Sequence, residues 1–431
     1  MGIAAGIAAV GINSASNIRI CHSLIDVTTN RCPTIDGSIS SGLFLNSAMT
    51  PPKTRICITL GTRPEAIKLA PVIQTFQQLP EFKSRFETQV VLTGQHKEMV
   101  AQVMSLFDLK ADHDLDIMQP KQTLSDITCR SLKGLEKLFQ TMQPHMVISQ
   151  GDTTTAFAAA LAAFYQQIPV GHVEAGLRTD NILNPFPEEA NRRLVSQIAT
   201  LHFAPTRQSV HNLKANGITH GIHQTGNTVI DALLTVADQS PECTVPGLDW
   251  DKYRVILSTV HRRENWGAPI ADITAGFLSI LDQFPDTALL LPLHRNPTVR
   301  EPLKAALDAH PRTFLVEPLD YAQLVGAMKR CTLLLTDSGG LQEEAPGLGK
   351  PVLVLRETTE RPEAIAAGTA KLVGTEAETI AKAAAELLSD PKAYAKMAKA
   401  TNPFGDGHAA KRIADAVIQY FKNEKNAFKQ E

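Results

Sequence analysis

From residue 55 onward the chain alternates short apolar runs of Val, Ile and Leu with stretches of helical spacing, and most of the runs stop at a turn of Gly and polar residues. That alternation constrains the fold more than any other feature. Strands separated by helical crossovers run parallel, and parallel strands need helices over both faces of the sheet. The runs predict strands at 55–60, 87–93, 145–150, 169–173 and 202–204, and again at 255–259, 288–293, 313–316, 332–336 and 352–355. The expected fold class is α/β, with two Rossmann-like domains around a cleft. A chain of 431 residues is ample for two such cores.

The domains are expected at 53–225 and 226–404, joined near Thr225-Gly226-Asn227. After a break at Asn402-Pro403-Phe404-Gly405, a last helix over 405–423 returns toward the first domain. Residues 1–52 read as a disordered extension. They open with a small apolar stretch lacking a basic start, too short for a membrane span, and continue in Ser, Thr, Asn and Pro. Met49 stands just before the ordered pattern and suits an internal start.

Net charge is −2, which argues against a nucleic-acid binder or a polybasic membrane binder. The six cysteines form no CxxC pair and have no histidine cluster beside them, so neither a disulfide framework nor a zinc site is expected. Cys57 and Cys331 lie in apolar runs and read as core residues, and a reducing, cytoplasmic setting fits.

In open α/β sheets ligands sit beyond the carboxyl ends of the strands. Here Arg63, Gln95, Asp152, Glu174, His261, His294, Ser338 and Arg361 all fall at or just beyond such ends. After the run Leu333-Leu334-Leu335 comes Thr336-Asp337-Ser338-Gly339-Gly340, opening a short helix that ends near Pro346-Gly347. Unpaired N–H groups and the dipole favour an anion at a helix start, and the glycines admit it closely. Arg63, Lys68, His261 and Arg361 supply cations for the same anion.

Three carboxylates oppose them, each with a plainer alternative. Asp152, before three threonines, suits a helix N-cap. Glu174 ends a strand that should be buried, and Arg178 is a possible partner. Glu188 and Glu189 sit in a helical first turn after Pro187, where the dipole alone favours acids. Carboxylates and cations together fit an anionic leaving group departing beside a developing positive centre, the chemistry of nucleotide sugars. There is no GxxxxGK[ST] and no GxGxxG for ATP or NAD. Asp112-His113-Asp114 reads as a solvated linker rather than a metal motif.

Six segments resemble the non-hydrolysing UDP-N-acetylglucosamine 2-epimerases: Gly61-Thr62-Arg63-Pro64-Glu65-Ala66-Ile67-Lys68, Gly151-Asp152-Thr153-Thr154-Thr155, Gly171-His172-Val173-Glu174-Ala175-Gly176-Leu177-Arg178, Pro187-Glu188-Glu189-Ala190-Asn191-Arg192, His261-Arg262-Arg263-Glu264, and Thr336-Asp337-Ser338-Gly339-Gly340-Leu341-Gln342-Glu343-Glu344 with Thr359-Glu360-Arg361-Pro362-Glu363. The resemblance covers about 55–421. It implies a glycosyltransferase-B-like fold, a homodimer, no metal and no nicotinamide. It implies interconversion of UDP-GlcNAc and UDP-ManNAc through elimination of UDP to a 2-acetamidoglucal and readdition.

By the same resemblance Asp152, Glu174 and Glu188 share the proton transfers and the support of the cation, with their order open. His261 contacts the phosphate or assists departure. Arg63 and Lys68 bind from the first domain. Ser338, Gly339 and Gly340 hold the diphosphate, Glu344 the ribose, and Arg361 the nucleotide or the closing cleft. Gln95, His96 and Arg130 are candidates for a second, activating substrate molecule. One departure concerns the uracil segment, which has Leu319 and Leu324 where some members have Gln and Phe, so stacking on the base is weakened. A hydrolysing epimerase, a glycosyltransferase of the same fold and a nucleotide-sugar sensor are the alternatives.

Overall fold

The structure, a computed structural model, describes residues 52–427. The extension expected at 1–52 falls, apart from Pro52, outside the described residues, as does Met49.

Two parallel sheets form the frame. The first contains β1 (Thr54–Leu60), β2 (Phe86–Leu92), β3 (His113–Asp114), β4 (Met146–Gln150), β5 (Val170–Val173), β6 (Leu201–Ala204) and β7 (Ile222–Gln224), in the order β3-β2-β1-β4-β5-β6-β7. The second contains β8 (Arg254–Thr259), β9 (Thr287–Pro292), β10 (Thr313–Val316), β11 (Leu333–Thr336), β12 (Val352–Val354) and β13 (Ala370–Leu372), in the order β10-β9-β8-β11-β12-β13. The central strands are buried almost throughout, which is why they read as unbroken apolar runs. Cys57 and Cys331 are both buried. Three strands are absent from the sequence-based expectation: β3, β7 and β13. Each is two or three residues long, lies at a sheet edge and is partly exposed, so it carries no apolar run. Asp112-His113-Asp114 is therefore not a solvated linker. Its last two residues form β3, and Asp112 accepts a hydrogen bond from Val90 N at 2.7 Å.

In each sheet the connections reverse direction beside the first strand, between β1 and β4 and between β8 and β11. A crevice opens at such a point beyond the strand ends. The four turns there begin at Gly61, Gly151, Val260 and Asp337, so the topology gathers the sequence's polar turns at two places. The shared layout, two Rossmann-like sheets with a cavity lined from both, is glycosyltransferase-B-like.

Local chemistry explains the helix starts. Helix Arg63–Gln78 has Pro64 in its first turn, and Glu65 folds back to accept from the N–H groups of Gly61 (2.5 Å) and Thr62 (3.1 Å). The junction at Thr225-Gly226-Asn227 is held by hydrogen bonds. Asn227 is buried, its N–H donates to Phe404 O at 2.6 Å, and its side chain caps helix Thr228–Asp238. Helix Ala409–Ala427 starts against that helix, with the N–H groups of Ala409 and Ala410 on Asp231 at 3.2 and 2.8 Å. Farther along, its Phe421 ring lies 6.4 Å from that of Phe86 beside the first sheet. Among the described residues no helix is long and apolar enough to cross a membrane.

Candidate active site

A cavity of about 720 Å³ lies between the two sheets. Arg63, Ile67 and Lys68 line it from the first side, and His261, His294, Tyr321, Leu324, Ser338, Gly340, Glu343, Glu344 and Arg361 from the second.

The second wall grows from the end of β11. Ser338 occupies the N-cap position of helix Gly339–Gly347 without a capping bond from its side chain, and the helix's first N–H groups have no partners within the helix. A Cβ built on Gly340 would meet nothing closer than 3.7 Å, so an oxyanion can reach the backbone there. Gly339 does not line the cavity; it lies beneath the Arg262 guanidinium. Asp337, fully buried, straps the β8 turn to this helix start. It accepts from His261 N and Arg262 N, each at 2.8 Å, and from Asn265 Nδ2 at 3.0 Å. His261 Nδ1 lies 2.9 Å from its other oxygen, which leaves Nε2 for a ligand. Burial alone would raise the Asp337 pKa, but the His261 ring and the two backbone N–H groups hold it below the usual value. The His294 ring stacks on His261 at 6.1 Å, and burial followed by the charge of His261 lowers its pKa.

Deeper on this wall Tyr321 Oη donates to Glu344 Oε1 at 2.8 Å. Burial first, and then the neighbouring Glu343, push Glu344 up to about 7. Leu324 faces the cavity, whereas Leu319 does not line it: that side chain packs half-buried against the core.

The first wall is a network of side chains. Glu174 is buried at the end of β5 with φ +62°, a conformation that costs a non-glycine residue roughly 1–2 kcal/mol and must be held by its surroundings. Both of its oxygens lie 2.6 Å from Lys68 Nζ, Gln150 Nε2 donates to it, and Asn227 Nδ2 donates at 3.2 Å. Its partner is thus Lys68, not Arg178, whose guanidinium bonds Leu177 O and Ser196 Oγ. Burial opposes the Glu174 charge, but Lys68, with Arg361 and Asn227, overcomes it and the pKa falls. Lys68 responds in kind: burial opposes its charge, Glu174 and Glu343 together overcome that, and its pKa rises.

Asp152 is not a helix N-cap. Thr153 takes that place on helix Thr154–Tyr165, and Asp152 instead pairs with Arg192 at 2.6 Å. Burial raises the Asp152 pKa, Arg192 opposes it, and Glu174 adds to the rise. Of the two acids opening helix Glu188–Ile198, Glu189 is fully buried on Arg192 and Arg193, at 3.3 and 2.6 Å. Glu188 is half-buried and makes none of these bonds. None of Asp152, Glu174 and Glu188 lines the cavity; Glu174 meets it through Lys68.

The walls join through Asn227, which also donates to Glu343 Oε2 at 2.6 Å, while Arg361 Nε donates to Glu343 Oε1. Glu343, Asp337, Tyr321 and Asn227 are functional candidates that the sequence reading passes over. A carboxylate at a strand end, as at Asp337, is the signal that already singles out Glu174. Of the candidates for a second ligand, Gln95 accepts from Thr155 Oγ1 at 3.2 Å, and His96 caps helix Lys97–Leu106 with its N–H on Gly61 O at 2.9 Å. Arg130 donates to Ile117 O at 3.4 Å, and no hydrogen bond or ion pair joins it to the other two.

The family model for UDP-N-acetylglucosamine 2-epimerase matches residues 80–418. The UDP-N-acetylglucosamine 2-epimerase of Neisseria meningitidis is 47% identical over 374 residues, covering 85% of this chain and 99% of that protein. A putative UDP-N-acetylglucosamine 2-epimerase of Thermotoga maritima is 48% identical over 370 residues, covering 85% and 97%. Among solved structures, the Neisseria meningitidis enzyme bound to UDP-GlcNAc superposes with a TM-score of 0.77 at 46% identity, over 85% of this chain and all of that one. With its motifs in order and its two-walled cleft, this chain belongs to the UDP-N-acetylglucosamine 2-epimerase family.

Proposed function

We propose that the chain interconverts UDP-N-acetylglucosamine and UDP-N-acetylmannosamine without releasing free sugar. A carboxylate takes the C2 proton as the C1–O bond to UDP breaks, and a C1–C2 double bond forms in 2-acetamidoglucal. A proton then reaches C2 from the opposite face while a β-phosphate oxygen of UDP returns to C1. The C2 hydrogen is not beside a carbonyl carbon and is weakly acidic, so departure of UDP must run ahead and leave C1 cationic. Ser338, Gly340, His261, Lys68 and Arg361 stabilise the leaving diphosphate, with Gly339 completing the turn. Asp152, Glu174 and Glu188 serve the sugar side. The surroundings of two of them differ in the useful sense: Lys68 lowers the pKa of Glu174, which suits a base, and burial raises that of Asp152, which suits an acid. Glu344 binds the ribose, and Arg63 and Leu324 enclose the nucleotide, with Leu319 supporting the segment from behind.

One observation carries this reading: a single cavity has a glycine-rich helix start on one wall and, on the other, a lysine bound to a buried carboxylate. As the resemblance implies, no metal or nicotinamide takes part. We further propose a cytoplasmic homodimer in which Gln95, His96 and Arg130 contribute to an activating site. The test is incubation with UDP-GlcNAc in deuterated water, followed by NMR. UDP-ManNAc with deuterium at C2 of both sugars is expected. Free ManNAc and UDP as main products would establish a hydrolysing enzyme instead, and bound nucleotide sugar without exchange a sensor.

A further inference from the structure

The cavity lining includes a carboxylate that this mechanism leaves without a task, Glu343. Glu343 is 2% exposed and is bonded on both oxygens, to Asn227 and to Arg361. Asn227 is fixed in turn, because its Oδ1 accepts from Val229 N at 3.2 Å, which sets the side on which its NH₂ lies. That one NH₂ group serves Glu343 at 2.6 Å and Glu174 at 3.2 Å. Two buried carboxylates from opposite walls thus share an amide, and their cations, Lys68 and Arg361, both line the cavity. The helix Gly339–Gly347 that carries Glu343 also offers its first turn to the phosphate.

We propose that Glu343 is a positioning residue: by anchoring the Asn227 amide it fixes Glu174 for proton transfer, and by holding Arg361 it restrains that cation from the leaving group. The inference rests on the epimerase reading. Four charges, Lys68, Glu174, Glu343 and Arg361, balance one another in this knot, with Glu344 next along the helix. An incoming diphosphate competes with the carboxylates for both cations. Removing the Glu343 charge frees Arg361 for the phosphate and removes a nearby negative charge, so UDP binds more tightly. Asn227 meanwhile loses its anchor, and Glu174 loses a fixed donor, so proton transfer slows. Turnover and affinity move in opposite directions, which loss of packing alone does not produce.

The test uses the full chain with Glu343→Gln. Arg361 and Asn227 donate to different oxygens of Glu343, and an amide can place its one acceptor oxygen at only one of those positions, so its NH₂ meets a donor at the other. Turnover of UDP-GlcNAc should fall about tenfold or more, while calorimetry should show UDP bound about threefold tighter. Turnover within about twofold of wild type, or UDP bound no more tightly, overturns the proposal. Asn227→Ser keeps a helix cap but is too short to reach both carboxylates. It should lower turnover similarly and leave UDP affinity within about twofold, and the double variant should be no slower than the slower single one. If Glu343→Gln does not fold, near-normal turnover of Asn227→Ser overturns the proposal by itself. A wild-type protein that leaves UDP-GlcNAc unconverted sinks the functional reading, whereas an active wild type with unaffected variants sinks this inference alone.

Discussion

The two walls of the cleft are built on one plan and filled with opposite chemistry. Through the first six strands both sheets have the same order, and both turn direction beside their first strand. At that point the first sheet presents side chains pinned to one another: Lys68 on Glu174, Arg192 on Asp152, Glu65 on the turn after β1. The second presents the start of a helix, a glycine without close neighbours and an imidazole tied by one nitrogen to Asp337. Strand order decides where a ligand sits; the residues in the turns decide what can be done to it. In the reading proposed above, the first wall moves protons and lends Lys68 to the leaving group, and the second holds the anion.

That division can be broken by experiment. The largest expected effect belongs to Glu174→Gln. If the first wall moves protons, this variant loses about 10²- to 10⁴-fold in turnover, measured by UDP-ManNAc formation and by deuterium entry at C2. UDP should still bind, because the second wall is intact, and binding also shows that the site has survived the loss of a buried charge. Appreciable turnover in Glu174→Gln, with Asp152→Asn and Glu188→Gln equally active, would dissolve the distinction. The next effect tests the second wall through pH. Glu344 has a folded pKa pushed up to about 7 against an ordinary value of 4.5. The folded chain therefore binds the extra proton, so this group's contribution is present below about 4.5 and lost as pH rises through about 7. Glu344→Gln, which cannot ionise, should gain on wild type by up to about 3 kcal/mol between about pH 5 and pH 8 in denaturant melts. A difference that stays constant with pH removes the buried acid from the argument. A smaller effect is expected of Gly340→Ala. Alanine favours a helix by roughly 0.5–1 kcal/mol, so the fold should hold or gain, yet its methyl group enters the space proposed for the phosphate. UDP affinity should drop about tenfold, or about 1.4 kcal/mol, with C2 exchange at saturation little changed. Unaltered UDP affinity would move the diphosphate away from this helix start.

How far the sequence reveals this arrangement depends on the range of each interaction. The central strands are legible because burial on both faces makes them continuous apolar runs, and the turns after them are legible because polar residues interrupt those runs. Edge strands β3, β7 and β13 are not, being short and partly exposed. Helix Thr228–Asp238 hides behind Asn227, which reads as a linker residue and is in fact its cap. Glu174 stands out as a carboxylate at a buried strand end, but its partner Lys68 is 106 residues away, and Arg178 is nearer in sequence. Asp152 and Thr153 are both good caps by type, and only the Arg192 ion pair decides between them. Asp337 and Glu343 escape notice because their importance lies in partners contributed by other segments, His261, Asn227 and Arg361.

The smallest expected effect divides two leucines that the sequence cannot separate. Leu319 and Leu324 flank the start of helix Tyr321–Arg330 and are equally apolar. Both pack half-buried against the core, but only Leu324 also lines the cavity, beside Tyr321 and Pro318. Shortening Leu324 to Ala removes apolar surface that the nucleotide would cover, a loss of about 1 kcal/mol and thus about fivefold in UDP affinity. Shortening Leu319 should leave UDP affinity unchanged and lower stability by about 1 kcal/mol, since the side chain is only half-buried. Calorimetry with UDP and denaturant melts on both variants give the comparison directly. If Leu319→Ala weakens UDP and Leu324→Ala does not, the base lies on the outer side of this segment, and the second wall must be redrawn around Leu319.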